Sequence, residues 1–445
     1  MTSVGWQSSR PVQAVRRTTQ SATELVRRHK PDYQIALYMG LLMLLGLIVM
    51  YAIGPQRANV LNNSYDTDYY TKTYFFMKQT ISLLIALAVF AVMTFIPVGW
   101  LQKHAGKILL AGFIACILLF LLGNVLHVDA LVKCTLGACR WFNLGPLGSI
   151  QPAELLKFGL LVFLAGFLGM RMKQGLINDL HKTAIPLAIA GGAALFLVVV
   201  LQKDMGTGIV IGGIMASMLM VAGVSKKFGA AVVVIGLIAG AIFIIAAPHR
   251  IERIITFLHG DSSSSTSADD YHIRHAKIAI GTGGLFGVGI GNSVEATGYL
   301  PEAINDSVFA IMGETFGFVG LVAILALFTG LLLRLLRVLD NLADNRLRLL
   351  VAGVFGWLAS HVILNVASMT GVFPLTGITL PLLSFGGTSM IFIAGALGLV
   401  FQLSRYTSHR QHVKETDYEN SSSRRGIGRS RDAGYRRPTR TQKTR

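Results

Sequence analysis

Four side chains between residues 140 and 157 combine types that bind or transfer charged groups. The stretch RWFNLGPLGSIQPAELLK begins with Arg140 and Trp141 and ends at Glu154 and Lys157, which are three residues apart. An Arg fork suits a diphosphate, and an indole suits the lipid headgroup layer or a sugar face. The Glu–Lys pair lies on one helix face, so it is either a self-neutralising pair at a helix end or part of a site.

Two further segments interrupt apolar sequence with polar residues. QKDMGTG, residues 202–208, forms a very short turn in which Asp204 and Thr207 are predicted to cap the following helix. PLTGITLPLLSFGGTSM, residues 374–390, is broken by Pro and Gly between two long apolar blocks. Irregular backbone at membrane depth must be buried in protein or line a cavity.

Three carboxylates enter the next long apolar block. Asp306 stands where a helix would start, so it is either a helix cap or a site residue, and Glu302 precedes it. Glu314 lies deeper, where a lone carboxylate needs a partner or a wet cavity. Together the polar segments predict a cleft within a helix bundle that faces the outside of the membrane.

The composition says which elements must position these residues. The chain has 445 residues, of which 53% are hydrophobic and 14% charged, with a mean hydropathy of +0.58. Its apolar residues fall into blocks of about 20, the length that crosses a bilayer. We expect an all-α integral membrane protein with about ten spans: 34–54, 76–97, 107–127, 154–170, 184–201, 207–224, 228–247, 306–333, 347–370 and 386–404.

Charge distribution predicts the orientation of these spans. The first 32 residues contain no apolar core, so no cleavable signal peptide is expected and the first span acts as the insertion signal. An even number of spans puts both termini on one side, and short loops on that side carry most of the Lys and Arg. Both termini are therefore predicted to be cytoplasmic.

The net charge of +18 does not indicate a nucleic-acid-binding protein. Much of it lies in two polar tails, 1–33 and 406–445, which are predicted to be disordered. They lack the aromatic platform that single-stranded nucleic acid requires. Attraction to anionic lipid or acidic partners is the simpler interpretation.

The cysteines and the two long loops complete the organisation. Cys116 lies inside an apolar block and is predicted to be packing, whereas Cys134 and Cys139 are either bridged or free thiols in an external loop, 128–153. A second external loop, 248–305, contains the amphipathic stretch IRHAKIAIG. No internal repeat supports an inverted-repeat transporter, and no Gly-rich phosphate motif supports nucleotide binding.

Four motifs resemble those of the SEDS family (shape, elongation, division and sporulation). They are RWFNLGPLGSIQPAELLK, QKDMGTG, GLFGVGIGNSVEATGYLPEAINDSVFAIMGETFGFVG and PLTGITLPLLSFGGTS, in the family's order, and the resemblance covers residues 34–405. The sequence pattern GNS…LPEA…DSVFA and the long polar tails are more similar to the division branch, FtsW, than to the elongation branch, RodA.

The resemblance implies a peptidoglycan glycosyltransferase that joins lipid II into glycan strands, with undecaprenyl diphosphate as leaving group. Its general base would be an Asp in the loop after the seventh span. The family's Asp stands six residues before a Tyr, but Ser265 stands six before Tyr271 here. Asp261, Asp269 and Asp270 are the candidates; Asp261 is preferred for its distance from the preceding TFL.

The resemblance also implies a set of substrate-binding residues around the cleft. Two positions four residues apart compare differently with the family's pattern. At position 361 the family often has Gln and this chain has His361, whereas Asn365 matches the family's intramembrane amide. The implied substrate-binding residues are Arg140, Trp141, Gln151, Glu154, Lys157, Asp204, Asn292, Ser293, Glu302, Asp306, Glu314, Asn365, Ser384, Gly386, Gly387, Thr388 and Ser389.

The implied partners are lipid II, a class B penicillin-binding transpeptidase and other division proteins, in the bacterial cytoplasmic membrane at the division septum. A divalent cation, Mg or Mn, at the substrate diphosphate is chemically reasonable, although no acidic metal-ligand cluster demands one. Two other functions fit the same sequence. A lipid II flippase would need charged residues that continue towards the cytoplasmic half, and a non-catalytic division scaffold would tolerate the loss of all three candidate acids.

Overall fold

The computed structural model of the protein describes residues 30–135, 138–145, 148–225, 227, 229 and 268–407. The predicted seventh span, 228–247, lies almost entirely outside the described residues. So do Asp261 and nearly all of both tails. Within the described residues, nine helices are long and apolar enough to cross a membrane. They coincide with the other nine predicted spans.

The helices follow the apolar blocks of the sequence. In chain order they are α1 Tyr33–Tyr65, α2 Tyr74–Phe95, the short α3 Val98–Lys103, α4 Ala105–Phe120, α5 Pro152–Lys173, α6 Ile185–Leu195, α7 Met205–Ala222, α8 Ala268–Thr282, α9 Val308–Asn341, α10 Asn345–Met369 and α11 Gly387–Leu403. Wider π-helical turns extend α4 to Val125 and flank α6 at Leu180–Ala184 and Phe196–Leu201. All are candidate spans except α3 and α8.

Local chemistry sets several helix ends. The Asp32 side chain accepts a hydrogen bond from the Gln34 N–H and caps α1. Helix α5 starts with a proline, whose missing N–H is harmless in the first turn, and carries Arg171 and Lys173 in its last turn, where cations favour the helix dipole. Helix α1 extends eleven residues beyond the predicted end of the span at residue 54, because the helix continues through Pro55 and a polar last turn.

Three helices form the centre of the bundle. In the most apolar window of α5, α10 and α11, 72%, 78% and 72% of residues are buried, against 17% for α2. Helices α4 and α5 approach closely at two glycines: a Cβ on Gly112 would lie 2.8 Å from the Leu156 Cα, and one on Gly159 would lie 2.9 Å from the Leu109 Cα. Small residues at a helix crossing are typical of membrane bundles.

A small sheet stands between α4 and α5, in the loop predicted at 128–153. Strands β1 Val132–Thr135, β2 Ala138–Asn143 and β3 Ser149–Ile150 are antiparallel in the order β1-β2-β3. Cys134 and Cys139 pair across the β1–β2 hairpin and are joined by a disulfide. The predicted alternative of two free thiols is therefore wrong. Cys116 is buried and free, as predicted.

Helix α9 is interrupted inside the bundle. Gly317 has φ 67° and ψ −169°, so the helix breaks there, and a Cβ would collide with the backbone at Leu285 and Gly287. The segment 283–289 supplies partners for the interrupted helix: the Phe318 N–H donates to the Gly284 carbonyl at 2.9 Å, and the Val288 N–H donates to the Glu314 carbonyl at 2.9 Å. The break is tolerated because protein, not lipid, satisfies its backbone.

The helices alternate in direction, so the connecting segments gather at two ends of the bundle. One end of the bundle is named here the polar end. It contains the small sheet and residues 202–204, 283–307 and 370–386. Contacts between them include a hydrogen bond from Thr388 Oγ1 to the Ser149 carbonyl at 2.6 Å and one from the Phe385 N–H to the Ile304 carbonyl at 2.7 Å.

The opposite end, named the basic end, holds the connections 96–104, 174–179 and 341–344. There the Gln402 side chain donates to the Ile96 carbonyl at 2.8 Å, and the Asp32 N–H donates to Ser404 Oγ at 2.9 Å. Cations concentrate at this end: Lys103, Arg171, Lys173, Arg334, Arg337, Arg346 and Arg348.

The α4–α5 contact can be tested with two alanines in α5. Ala is a better helix former than Gly by about 1 kcal/mol, so Gly166→Ala, with nothing within 4 Å of its new Cβ, should keep or raise stability. Gly159→Ala should lower the unfolding free energy by about 1–3 kcal/mol because its Cβ meets backbone. Thermal unfolding of the two purified variants measures the difference, and equal midpoints would contradict the close approach.

Candidate active site

A buried ion pair lies near the start of α5. Lys157 Nζ is 2.9 Å from Glu154 Oε1, and the two residues are 0% and 2% exposed. The ammonium also lies 3.2 Å from His361 Nε2 and 4.9 Å from the centroid of the Trp357 ring, both on α10. The predicted self-neutralising pair is thus present, but it is also connected to a second helix. A buried ammonium needs this many partners because desolvation is expensive.

Asp204 has the predicted cap geometry and a further contact. Its Oδ1 accepts from the Thr207 N–H at 2.9 Å and its Oδ2 from Thr207 Oγ1 at 2.9 Å, which caps α7. Gln151 Nε2 donates to the same Oδ2 at 3.1 Å. Since Gln151 directly precedes α5, Asp204 joins the starts of α5 and α7.

Part of the Arg140 guanidinium donates hydrogen bonds to backbone carbonyls of the protein. Its Nε donates to the Gln202 carbonyl at 3.3 Å and its Nη2 to the Lys203 carbonyl at 2.7 Å. These bonds hold the turn that carries Asp204, in which Lys203 has a positive φ of 52°. Arg140 therefore positions the turn, and only its remaining N–H groups are available for an anion.

The segment between α10 and α11, residues 374–386, contacts both α10 and α7. Asn365 Nδ2 donates to the Ile378 carbonyl and to the Asp306 carbonyl, each at 2.7 Å. His361, one turn before Asn365 on α10, lies 3.4 Å from the Thr379 carbonyl through Nδ1. A Cβ on Gly206 would lie 2.8 Å from the Thr376 carbonyl, so only glycine allows α7 this close.

Asp306 is not the helix cap that one interpretation of the sequence predicted. The N-cap position of α9 is Ser307, and its side chain makes no capping hydrogen bond. Asp306 is 7% exposed, and its Oδ1 has no hydrogen-bond partner in the described part of the chain. Burial raises the pKa of the Asp306 carboxyl to about 7, and the nearby Glu302 carboxylate adds to the rise.

Glu314 has the partner that its depth requires. Ser293 Oγ donates to Glu314 Oε2 at 2.5 Å, and the Val294 N–H donates to Oε1 at 2.9 Å. The carboxylate thus fixes the turn before the short helix Glu295–Thr297. In that helix Glu295 Oε2 lies 2.8 Å from His275 Nδ1 on α8.

The other predicted substrate-binding residues divide into buried and exposed groups. Ser384 Oγ accepts from the Leu380 N–H at 2.8 Å, and its carbonyl accepts from Gln79 at 3.3 Å, so it shapes the 374–386 segment. Asn292 is exposed, and its side chain donates to the Val288 carbonyl at 3.0 Å. Trp141 is half-buried on β2. The start of α11 contains Gly386, Gly387, Thr388 and Ser389, of which Ser389 has a buried hydroxyl without a partner among the described residues.

Two of the candidate bases are described, and both lie at the start of α8. Asp269 and Asp270 occupy its first turn, where carboxylates favour the helix dipole. One turn along, His272 Nε2 is 2.6 Å from Ser307 Oγ. This contact ties the start of α8 to the turn that holds Asp306. An amphipathic stretch was predicted at IRHAKIAIG, whereas the contact through His272 was not.

Sequence reasoning missed four polar residues of this end. They are Gln202, His272, His275 and Glu295, and His361 was noted only as a departure from the family's pattern. A spacing of four between His361 and Asn365 could have placed them on one face of α10. The partners of the other residues are distant in sequence, so no spacing signals them.

Several buried polar atoms at the polar end have no hydrogen-bond partner among the described residues. Glu154 Oε2, Asp306 Oδ1, Asn365 Oδ1 and both polar atoms of the Gln202 amide are buried without a hydrogen-bond partner in the described ranges. Buried polar groups are normally paired, directly or through water. The arrangement therefore suits a ligand with hydroxyls and amides, and the nearby carboxylates suit proton transfer.

The buried pair predicts strongly non-additive substitutions. Glu154→Gln leaves the Lys157 ammonium without a carboxylate, and Lys157→Met leaves the carboxylate alone, so each should lower the unfolding free energy by about 3–5 kcal/mol. The double variant should lose far less than the sum, because no lone charge stays buried. Thermal unfolding of the wild type, the two single variants and the double variant provides a double-mutant cycle. Additive losses would mean that the pair is not coupled.

Asp306 predicts a pH dependence of stability. Its pKa is about 7 in the folded protein and about 4 in the unfolded chain, so the folded state holds its proton more tightly. The resulting stabilisation is complete below about pH 4 and is lost as pH rises through about 7. Between pH 5 and 8, the unfolding midpoint should fall more steeply for the wild type than for Asp306→Asn.

The exposed Asp129 provides the control for this experiment. Asp129→Asn should keep the wild-type slope, because this substitution leaves the Asp306 carboxyl and its buried surroundings unchanged. Parallel curves for wild type and Asp306→Asn would contradict the raised pKa.

Comparisons with known proteins agree with this geometry. Residues 33–409 match the family described as "Cell cycle protein", which includes FtsW, RodA and SpoVE. Stage V sporulation protein E of Bacillus subtilis is 32% identical over 385 residues, 86% of this chain and 99% of that protein. A probable peptidoglycan glycosyltransferase FtsW of Saccharophagus degradans is 32% identical over 342 residues, 75% and 84% of the two chains.

Solved structures share the fold. A chain of a peptidoglycan synthase complex that coordinates polymerization and crosslinking has a TM-score of 0.65 and 26% identity, and the match covers 84% of this chain and 98% of that one. The rod shape determining protein RodA of Thermus thermophilus has a TM-score of 0.60 and 25% identity, with 85% and 98% covered. The chain therefore belongs to the FtsW/RodA/SpoVE family, the SEDS family that its motifs resemble.

Proposed function

We propose that this SEDS protein is a peptidoglycan glycosyltransferase that polymerises lipid II at the outer face of the cytoplasmic membrane during division. The supporting observation is the set of buried carboxylates and one buried ammonium around the 374–386 segment at the polar end. Relatives named peptidoglycan glycosyltransferase support the activity class. Intramembrane charges of this kind are rare unless they serve a site.

In the proposed reaction, a loop carboxylate takes the proton from a hydroxyl of the acceptor sugar. The hydroxyl oxygen then forms a bond to the anomeric carbon of the donor sugar. The bond from that carbon to the diphosphate oxygen breaks, and undecaprenyl diphosphate leaves with the electron pair. Proton transfer of this kind contributes about 10²–10⁴-fold to a rate. Asp269 and Asp270 are supported by their place beside the His272–Ser307 contact, and Asp261 remains a candidate from the sequence.

The free N–H groups of Arg140 are proposed to meet the diphosphate. Lys157 is paired with Glu154, so its charge would be offset unless the diphosphate displaces the carboxylate. Among the described residues, no group of three or more His, Cys, Asp or Glu side chains is placed to hold a metal ion. No step of the proposed reaction is assigned to a metal.

The cations of the basic end support a cytoplasmic position for that end and an external position for the polar end. An external polar end is where a class B penicillin-binding transpeptidase would receive the new strand. The synthase complex among the similar structures, which joins polymerization to crosslinking, supports such a partner. The division septum and other division proteins follow from the same proposal. Among the described residues, the buried carboxylates and the Lys157 ammonium of the candidate site lie at the polar end, which supports transfer over flipping.

Lipid II polymerisation by the purified full chain with its transpeptidase partner tests the proposal. We expect one of Asp261→Asn, Asp269→Asn and Asp270→Asn to lower the rate by about 10²–10⁴-fold, because the general base is lost. Asp129→Asn, which changes an exposed acid at the same end, should leave the rate unchanged.

Each other outcome has a distinct meaning. Polymer from all three variants would show catalysis by a different base. No polymer from the wild type, together with transport of labelled lipid II in vesicles, would favour the flippase. The absence of both activities, with complementation of division by the triple variant, would favour the scaffold.

A further inference from the structure

A cavity of about 420 Å³ opens at the basic end, far along the helices from the candidate active site. It lies where α2 ends, the short α3 begins, α10 starts and α11 ends. Its apolar walls include Phe95, Val98 and Leu347, and its polar side chains include Gln402, Arg405 and Tyr406. None of these residues takes part in the proposed glycosyl transfer.

Gln402 presents an unused acceptor in this cavity. The residue is 6% exposed, and its Nε2 donates to the Ile96 carbonyl at 2.8 Å. Because a carbonyl can only accept, this bond fixes the orientation of the amide. Its Oε1 is buried and has no donor among the described residues. A buried acceptor without a donor is costly, so a ligand that brings a hydroxyl would be stabilised there.

Arg405 presents an unpaired cation in the same cavity. Its Nε is buried without a hydrogen-bond partner, and its guanidinium lies 6.0 Å from the centroid of the Phe401 ring. The ion pairs of the described residues do not include it. A guanidinium fork with free N–H groups matches the geometry of a phosphate better than a lysine does.

The surroundings place the cavity at headgroup depth. Phe95 is 77% exposed and Trp100, on α3, is 51% exposed, and aromatic side chains of this kind concentrate at the membrane interface. Residues 409–445 of the sequence contain eleven Lys or Arg and four Asp or Glu. Anionic lipids gather at surfaces with such a charge.

We propose that this cavity binds the headgroup of an anionic glycerophospholipid that carries a hydroxyl, such as phosphatidylglycerol. Arg405 binds the phosphate, and Gln402 Oε1 accepts a hydrogen bond from a headgroup hydroxyl. The apolar walls at Phe95 and Val98 contact the first carbons of the acyl chains. A soluble glycerol phosphate shares the polar chemistry but gains nothing from these walls.

Native mass spectrometry of the full chain, delipidated in detergent, tests this site by titration with phosphatidylglycerol, phosphatidylcholine and sn-glycerol 3-phosphate. Loss of a charge-assisted hydrogen bond in Arg405→Gln should weaken phosphatidylglycerol binding about tenfold. Arg405→Lys keeps the charge without the fork and should give an intermediate affinity. Arg337→Gln removes an exposed cation from α9 at the same end, outside the cavity, and should leave the affinity unchanged.

Three results would overturn the proposal. Equal weakening in Arg405→Gln and Arg337→Gln would show general attraction to a basic surface. Equal binding of phosphatidylcholine and phosphatidylglycerol would show that the anionic headgroup is not recognised. Competition by sn-glycerol 3-phosphate at the same concentrations would assign the cavity to a soluble phosphate. Unfolding midpoints of the lipid-free variants, if equal to the wild type, show that altered binding does not reflect misfolding.

Discussion

The structure depends on satisfying the backbone of the 374–386 segment inside a membrane bundle. This segment has no regular structure, so its N–H and C=O groups require partners from neighbouring helices. Asn365 on α10 and Gln79 on α2 each supply one, and Ser384 supplies a further partner from within the segment. The glycine at 206 lets α7 approach the same backbone. Polar side chains are therefore present at this depth for structural reasons before any substrate is considered.

The same requirement explains why charge is handled in compensated groups. The Lys157 ammonium contacts both Glu154 and His361, and the Glu314 side chain accepts hydrogen bonds from Ser293 and Val294 in one turn. Asp306 Oδ1 has no hydrogen-bond partner among the described residues, and burial raises the pKa of its carboxyl. The end that the proposed reaction uses is thus rich in hydrogen-bonding capacity but poor in free net charge. Such an end suits the uncharged hydroxyl and amide groups of a sugar.

Local spacing allowed part of this to be predicted from the sequence. The Glu154–Lys157 pair and the Asp204 cap each involve residues three apart, and nine spans follow apolar blocks of the right length. The contact between Lys157 and His361 joins residues 204 apart, and that between Arg140 and Lys203 joins residues 63 apart. Without an alignment, one sequence carries no signal for such pairs. The sheet was missed because its strands are short and lie in a loop with Gly and Pro.

The disulfide-closed hairpin has a consequence for protein engineering. Arg140 on β2 holds the turn before α7, β3 ends two residues before α5, and Thr388 at the start of α11 bonds the Ser149 carbonyl on β3. One short sheet outside the bundle thus fastens the entry points of three spans. A loop between membrane helices is the usual place for an epitope tag or a fluorescent fusion. Here an insertion between residues 138 and 150 would detach three helices at once, whereas the solvent-exposed turn at Asp66 would accept the same cargo.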